Sequence, residues 1–557
     1  MRPIYIPLLL IIGVFQSCKQ DPKAVFGTSI STDIKEIENG QQLFAQHCSS
    51  CHNFKQHGIG PNLSGLTHKV KTSWIREFIK YPSKMIAIQD DRTMALMKDY
   101  LVAMPGFDHI TDADIEAILS YMHSFMAPSA LNTQSSEVLK KPIKDTLLFS
   151  PLTASLEFIA QIAPSSEKSP LARINKMECG GDSGRLFIND SRGSLFEIKE
   201  SKAHVFLSLT DLEEHFISEP GLGTGFGSFA FHPDFQKNGL LYTTHSEPKE
   251  TQAADFTFSD SIPRTLQWVV KEWKLDNPRS RTFSGTSREL MRIDFVTGIH
   301  GMQEIAFNPT VKKGDLDYGM LYICLGDGGS VQNGYKEVAY HNGSKVWSSI
   351  LRIDPRGNTS TNGNYGIPKD NPFTAIDTKA KEVWAFGFRN PNKISWDASG
   401  NMFCSDIGHA QIEELNRITA GKFYGWPIRE GTFRINPDGN LNAIYDLPKN
   451  DLDYGITYPV IQYDHTEGAA ISGGFVADKG PLAKKYVFGD IPTGKLFISD
   501  LRTGRIEKLK VSLNNKTQNF RQISKNNRVD LKIGKDCAGS IYVFTKADGK
   551  IYRILDY

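Results

Sequence analysis

Two thiols and an imidazole stand together in "QHCSSCH", Gln46 to His52. Cys48 and Cys51 at this spacing, followed directly by His52, form the attachment pattern of haem c in a cell-envelope protein. Haem moves one electron at a time and carries out no substrate chemistry here by itself. The several hundred residues that follow must therefore contain whatever supplies the electrons. A lone Cys-x-x-Cys-His is also compatible with half of a zinc site, so the flanking elements have to decide.

Upstream, "DIKEIENGQQLFAQHC" places Ile37, Leu43 and Phe44 at the spacing of an amphipathic helix leading into the motif. Downstream, "GIGPNLSGL" is a turn-rich loop and "TSWIREFIKYP" a short helix stopped by Pro82. In "MPGFDHITDADIEAILSYMHSF", Thr111 and Asp114 form a capping box for a final helix. These elements predict a compact all-α unit over residues 34–128. The segment resembles a class I cytochrome c in the spacing from Gly40 through Phe44 to Cys48, in "GPNL" and in "MPGF". The resemblance implies covalent haem c with thioethers at Cys48 and Cys51, His52 as proximal ligand and Met104 as distal ligand. Thioether ligation favours reduced iron and raises its potential. Met94 and Met97 compete with Met104 for that role and otherwise pack in the core. His47, His57 and His68 read as surface residues.

The chain opens "MRPIYIPLLLIIGVFQSC", whose apolar run Ile4 to Phe15 is too short to span a bilayer and reads as a signal. Its end, "VFQSC", resembles a bacterial lipobox, although Phe15 departs from the commonest pattern. That likeness implies a signal over residues 1–18, lipid on Cys18, and a periplasmic or outward-facing envelope protein tethered to the membrane by that anchor only. Ordinary cleaved secretion is the alternative. With 64 basic and 62 acidic side chains in 557 residues, no global field favours nucleic acid or an anionic membrane surface. Cys324 and Cys404 lie in apolar strand-like runs and read as buried free thiols. Cys179 and Cys537 both lie in Gly-rich turns and could pair.

Residues 129–170 are polar and Pro-containing and read as a linker, with an apolar stretch, "LLFSPLTASLEFIAQIA", that must pack against something. Beyond Leu171 the phrase Gly, any residue, aliphatic, aromatic recurs as "GRLF", "GLLY", "GMLY", "GNMF" and "GSIY" at Gly184, Gly239, Gly319, Gly400 and Gly539. A diverged sixth copy fits "KYVFGD", Lys485 to Asp490. A second strand of the same units reads "GSLFEI", "GKLFISD" and "GKIYRI". Six turn-and-strand units with no long helical pattern predict an all-β six-bladed propeller over residues 171–557.

Between Gly225 and Phe433 stand, in order, "GFGSFAFHPDFQKNGLLYTT", "GIHGMQEIAFNP", "LYICLGDGG", "SILRIDPRG", "EVWAFGFRNPNKISWD", "SDIGHAQIEELNRI" and "KFYGWPIREGTF". Together they resemble the soluble glucose/aldose dehydrogenases that use pyrroloquinoline quinone (PQQ), a family of six-bladed propellers. The likeness implies His300 as catalytic base, with Gln303 and Glu304 replacing the usual small residues. It implies Arg389 and Asn390 as quinone contacts, the arginine near the carbonyl that receives hydride. Gly408 and His409 fall where main-chain carbonyls bind a quinone-linked Ca²⁺. Arg528 stands near the last cationic contacts, but Val529 and Pro492 replace an expected arginine and lysine.

Oxidising a sugar's anomeric carbon requires removing the hydroxyl proton while hydride leaves, and a neutral imidazole accepts that proton near neutral pH. Read alone, His300 is a packing or turn histidine. Asp327 and Glu414 read as turn and loop organisers, His232 as a turn residue, and His465 as a candidate for the substrate mouth. The implied protein is a quinohaemoprotein oxidising a sugar or related alcohol and passing electrons through haem to an external one-electron acceptor, such as another cytochrome or a terminal oxidase. The alternative is a cofactor-free propeller that binds glycan or protein, fused to an electron-transfer cytochrome.

Overall fold

A computed structural model describes residues 30–49, 51–54, 60–100, 103–126, 137–221, 223–524 and 528–555. Cys18, with the signal segment, and His57 lie outside them. The first unit is helical. Asp33 caps Ile34–His47 by accepting from the Lys35 and Glu36 N–H groups, and Phe44 on that helix is buried. Thr111 caps Asp112–His123 by accepting from Asp114 N at 3.2 Å, and its own hydroxyl donates to the Asp114 carboxylate at 2.7 Å. The core between the two helices holds Phe44, Leu63, Ile75, Ile79, Ile118 and Leu119. The expected cytochrome-like all-α unit is present.

The remainder is strand. Four-stranded blades run 174–208, 228–295, 304–386 and 391–464, the last with a small three-stranded sheet, 429–445, inserted before its outer strand. A fifth blade occupies 471–513 and a sixth begins at Leu531. The innermost strands neighbour one another around a closed circle. Each recurring Gly phrase leads into the second strand of a blade: Leu186–Asp190, Leu240–Pro248, Leu321–Leu325, Met402–Asp406 and Ile541–Thr545. The phrase begins with glycine because the backbone there turns left-handed, with φ between 63° and 84° at the five positions. The diverged copy keeps the turn without the glycine. Lys484 takes φ 65° two residues before Tyr486–Asp490.

The stretch expected as a linker contains a structural strand, and this corrects its boundary. Phe149–Gln161 pairs antiparallel with Lys550–Leu555 and parallel with Arg505–Leu513, so it completes the sixth blade and ties it to the fifth. The reason is alternation along the strand: Ser150, Ala154, Leu156 and Ala160 are buried while Phe149, Pro151, Thr153 and Gln161 are exposed, and Phe158 breaks the pattern beside an irregularity in the pairing. The last blade has only three strands of its own from the chain's end, so its outer strand comes from before the first blade. From Gln161 the chain runs on into the first blade at Ile174, so this strand ties the two ends of the ring together.

A disulfide joins Cys179, at the end of the first blade's inner strand, to Cys537 in the sixth blade, with Cα atoms 5.3 Å apart across a sequence separation of 358. Cys324 and Cys404 are buried free thiols, as expected. Because the cross-link closes so long a loop, replacing Cys179 and Cys537 together by Ser should lower the unfolding free energy by about 2–4 kcal/mol in urea titrations. An unchanged midpoint would show that strand pairing alone holds the ring.

Candidate active site

His300 lies in the connection from the second blade to Glu304–Phe307, the third blade's inner strand. It is 6% exposed and holds the left-handed φ of 53°. Such a backbone is costly for a residue with a Cβ and persists where the surroundings impose it. Gly326 lies directly against it: a Cβ there would meet the His300 carbonyl oxygen at 2.4 Å. The third blade's second strand, Leu321–Leu325, ends in the turn that carries Asp327, whose Oδ1 sits 2.6 Å from His300 Nδ1.

The partners of Asp327 fix the tautomer. Its Oδ1 also accepts from Gly329 N–H at 2.8 Å, and its Oδ2 accepts from Trp426 Nε1–H at 3.2 Å. Burial works to raise the carboxyl pKa, but His300, Arg389 and the Gly329 N–H outweigh it and hold the group ionised. An ionised carboxylate only accepts, so His300 Nδ1 carries the proton and Nε2 keeps its lone pair. Burial, then the nearby Arg389 charge, lowers the imidazole pKa, with Asp327 opposing. The sequence suggested a turn organiser at Asp327; it organises the turn and also orients the histidine.

Arg389 and Asn390 enter the inner strand Pro391–Trp396, their N–H groups held by Asp406 Oδ2 and Oδ1 at 2.9 and 2.6 Å. The Arg389 carbonyl accepts from Asp327 N–H at 2.9 Å, which brings the two turns together. Its guanidinium carbon lies 5.7 Å from the Trp426 ring centre, and Nη1 donates to the Gly408 carbonyl at 2.6 Å. Asn390 Oδ1 is buried with no hydrogen-bond partner among the described residues. The loop at Gly408 is shaped by Glu430, whose Oε1 accepts from the N–H groups of His409, Ala410, Gln411 and Ile412 at 2.8–2.9 Å. His409 Nε2 meets Asn442 Oδ1 at 2.8 Å while Nδ1 is buried without a partner. Burial, aided by Arg389, lowers its pKa to about 3 and keeps it neutral.

The expected divalent-cation site does not fit this arrangement. The Gly408 carbonyl that would ligate Ca²⁺ is already taken by the Arg389 guanidinium, a cation that repels another. Asn390 Oδ1 and, because Nε2–H donates to Asn442 Oδ1, His409 Nδ1 are both buried acceptors, so together with a guanidinium on an indole face they suit a planar polar group that brings donors to them and an anionic oxygen to Arg389.

Other expectations sort themselves. Arg528 Nε donates to Asp530 Oδ1 at 2.7 Å. Val529 is fully buried, its N–H donating to the Pro492 carbonyl at 3.1 Å, so that position faces core. His465 binds Glu413 Oε1 at 2.9 Å through Nε2 and braces that carboxylate. Glu414 accepts from Gly431 N–H and Asn416 Nδ2, and His232 Nδ1 accepts from Asp234 N–H at 3.0 Å; both are turn or loop organisers.

In the helical unit, His52 Nδ1 donates to the Pro61 carbonyl at 3.0 Å, which leaves Nε2 as the ligating atom. Burial keeps the ring neutral by lowering its pKa. Cys48 and Met104 pack against the same apolar core, whereas Met94 and Met97 are 37% and 44% exposed and lie outside it. His47 and His68 are half-buried rather than on the open surface, since His68 stacks on His123 with ring centres 4.1 Å apart. The donor set suits a haem.

The two units meet at this site. Asn333 donates its amide to the Gly329 carbonyl at 2.8 Å and to the Ser49 carbonyl, inside Cys48-x-x-Cys51, at 3.4 Å. Burial pushes the Cys51 thiol up to about 11 against the opposing charge of Arg528 across the boundary. Lys168 Nζ lies 3.0 Å from Asp108 Oδ1. Asp327, Trp426, Glu430 and Asn333 were not legible as site residues; "GDGG" marked only a turn, and Trp426 and Glu430 stood in the phrase "KFYGWPIREGTF" without a role of their own.

A model of the Glucose / Sorbosone dehydrogenase family matches residues 173–553, and a Cytochrome c model matches residues 37–125. The HIPL1 protein of Arabidopsis thaliana is 29% identical over 332 residues, covering 51% of this chain and 44% of that protein. Human Hedgehog-interacting protein is 27% identical over 280 residues, 48% of this chain and 37% of its own. The chain thus spans less than half the length of these relatives. The structure of the soluble aldose sugar dehydrogenase of Escherichia coli in the apo form superposes with a TM-score of 0.51 at 17% identity, over 73% of this chain and 100% of that one, and shares the fold. The chain belongs to the Glucose / Sorbosone dehydrogenase family, with a cytochrome c domain joined ahead of its propeller.

Proposed function

We propose that the propeller oxidises a sugar (aldose) or related alcohol with PQQ as oxidant, and that haem c passes the electrons singly to an external acceptor such as another cytochrome or a terminal oxidase. The observation that carries this reading is the contact between the two units. The Cys48-x-x-Cys51 turn rests, through Ser49 and Asn333, on the Gly329 turn that also holds Asp327 against His300. A propeller used only for binding has no need of a redox turn on its catalytic loop.

Where bound, the quinone supplies the two-electron oxidant and the haem the one-electron outlet. The protein's own residues do the rest. His300 Nε2 takes the substrate hydroxyl proton, and Asp327 steadies the imidazolium that forms. Arg389 and Asn390 would hold the quinone, with the guanidinium placed to offset negative charge on its oxygens. Cys48, Cys51, His52 and Met104 hold the haem. The Cys179–Cys537 disulfide supports an oxidising compartment, in keeping with lipid on Cys18 and an outward-facing envelope location. No helix among the described residues is long and apolar enough to cross a membrane.

A second reading, a propeller that binds glycan or protein without cofactor, draws support from the likeness to Hedgehog-interacting protein. The two separate when full-length protein loaded with PQQ, in parallel samples with and without added Ca²⁺, is mixed anaerobically with a panel of sugars and alcohols and haem absorbance is followed. Haem reduction supports the dehydrogenase; oxidised haem with every compound leaves the binding propeller.

His300→Ala should keep the haem spectrum and slow substrate-driven haem reduction by about 10²- to 10⁴-fold. Reduction at the normal rate would remove His300 from the mechanism. Because the base must be neutral and its folded pKa is lowered below 6.5, kcat/KM should be level at neutral pH and fall only as pH drops through that lowered value. An acid limb lying above pH 6.5 would contradict the buried-imidazole assignment.

A further inference from the structure

Below Arg389 and Asn390 the inner strands line the propeller channel with charge. Lys176, on Ile174–Cys179, bonds Glu178 Oε2 and the Ile305 carbonyl, each at 2.5 Å, and lies 3.4 Å from Glu304 Oε1. Lys393 on Pro391–Trp396 is 3.3 Å from the same Glu304 oxygen. These two lysines use both channel glutamates. Lys532, on Leu531–Lys535, is 5% exposed, and its ammonium has no hydrogen-bond or ion-pair partner among the described residues. A buried ammonium without an acceptor is a costly arrangement that a bound anion would relieve.

Its surroundings hold further cations together with carboxylates: Glu304 and Asp530 act on Lys532, Asp530 and Asp190 on Lys546, and Glu219 Oε1 lies 3.5 Å from Arg173 Nη1. Among the described residues, Lys546 Nζ has only Asn175 Oδ1, at 3.4 Å, within hydrogen-bond reach. Arg173 is buried and spends Nη1 and Nη2 on the carbonyls of Ser218 and Thr224, both at 2.7 Å. Lys546, Arg173 and Arg528 are close enough to repel one another. Burial first, then Lys546 and Lys393, holds Lys532 down to about 7 against Glu304 and Asp530, and burial with Arg173 and Arg528 holds Lys546 down to about 8 against Asp530 and Asp190.

Lys546 also sits beside the position where a cation was expected and is missing. Its N–H donates to the Asp530 carbonyl at 3.1 Å, and that of Ala547 to the Val529 carbonyl at 3.3 Å. Val529 turns into the core, and the adjoining strand supplies the lysine in its place.

We infer that Lys532 and Lys546, with Arg173 and Arg528 at the rim, form a binding site for a carboxylate-bearing anion and replace the cations absent at Pro492 and Val529. This rests on the reading that the propeller takes a polycarboxylate quinone, although the same site would also accept a small free carboxylate.

Titrating full-length protein with PQQ, and separately with citrate, while following intrinsic fluorescence tests this without turnover. Lys532→Met and Lys546→Gln should each weaken PQQ binding about tenfold or more, while the haem spectrum and Tm certify the fold; Lys546→Gln, at the half-buried rim, carries the test if the channel variant fails to fold. Wild-type protein that binds PQQ while both folded variants bind it equally well overturns the inference and leaves the quinone reading standing. Citrate binding that needs both lysines, with no PQQ binding, supports the anion site and sinks the quinone reading. Binding of neither anion overturns the inference.

Discussion

A ring of blades closes when one end of the chain completes a blade built by the other. Here that strand is Phe149–Gln161, which pairs with Lys550–Leu555 in the sixth blade and Arg505–Leu513 in the fifth before the chain runs on into the first blade at Ile174. Arg553 and Glu157 pair across it although they are 396 residues apart in sequence. Closure sets the channel and gathers the inner strands that begin near Arg173, His300, Arg389 and Arg528. It also anchors the chain leaving the helical unit. With that chain held at the ring, the cytochrome domain settles against the propeller through Asn333 and Lys168.

Within the ring, buried carboxylates do the positioning. Asp327 fastens an imidazole, an indole and a turn N–H; Asp406 fastens the two N–H groups before Pro391; Glu430 gathers four successive N–H groups behind Gly408. Each accepts several donors, which offsets the cost of burying an anion and leaves its loop little freedom. Arg389 lies where these loops converge, held at its N–H and carbonyl and stacked near Trp426, so its charge is aimed rather than mobile. The same guanidinium occupies the carbonyl at Gly408, which is why the expected calcium ligands do not form a free pair.

Much of this was legible before any coordinates. The left-handed turn that opens each blade leaves glycine in the sequence at five of six copies, and Cys48, Cys51 and His52 form the pattern from which haem attachment is expected. His300, Arg389 and Asn390 were found through phrases, and the fold brings them together. What stayed hidden depends on distance. The closing strand reads as a linker because its partners lie at the far end of the chain. Asp327 reads as a turn residue because nothing local announces a histidine 27 positions earlier. The channel lysines sit in ordinary strand patterns, where only ring closure reveals that Lys532 and Lys393 face a common axis.

Electron transfer between the docked units can be tested by its molecularity. Full-length protein loaded with quinone would be mixed with a reducing substrate in a stopped-flow instrument over a wide range of protein concentrations, with haem reduction followed by absorbance. If the Cys48-x-x-Cys51 turn rests on the catalytic loop of the same chain, haem reduction is first order, with a rate constant that does not change with protein concentration. A rate constant that rises in proportion to concentration would mean that electrons pass between separate molecules, and would contradict the docking of haem turn on active site.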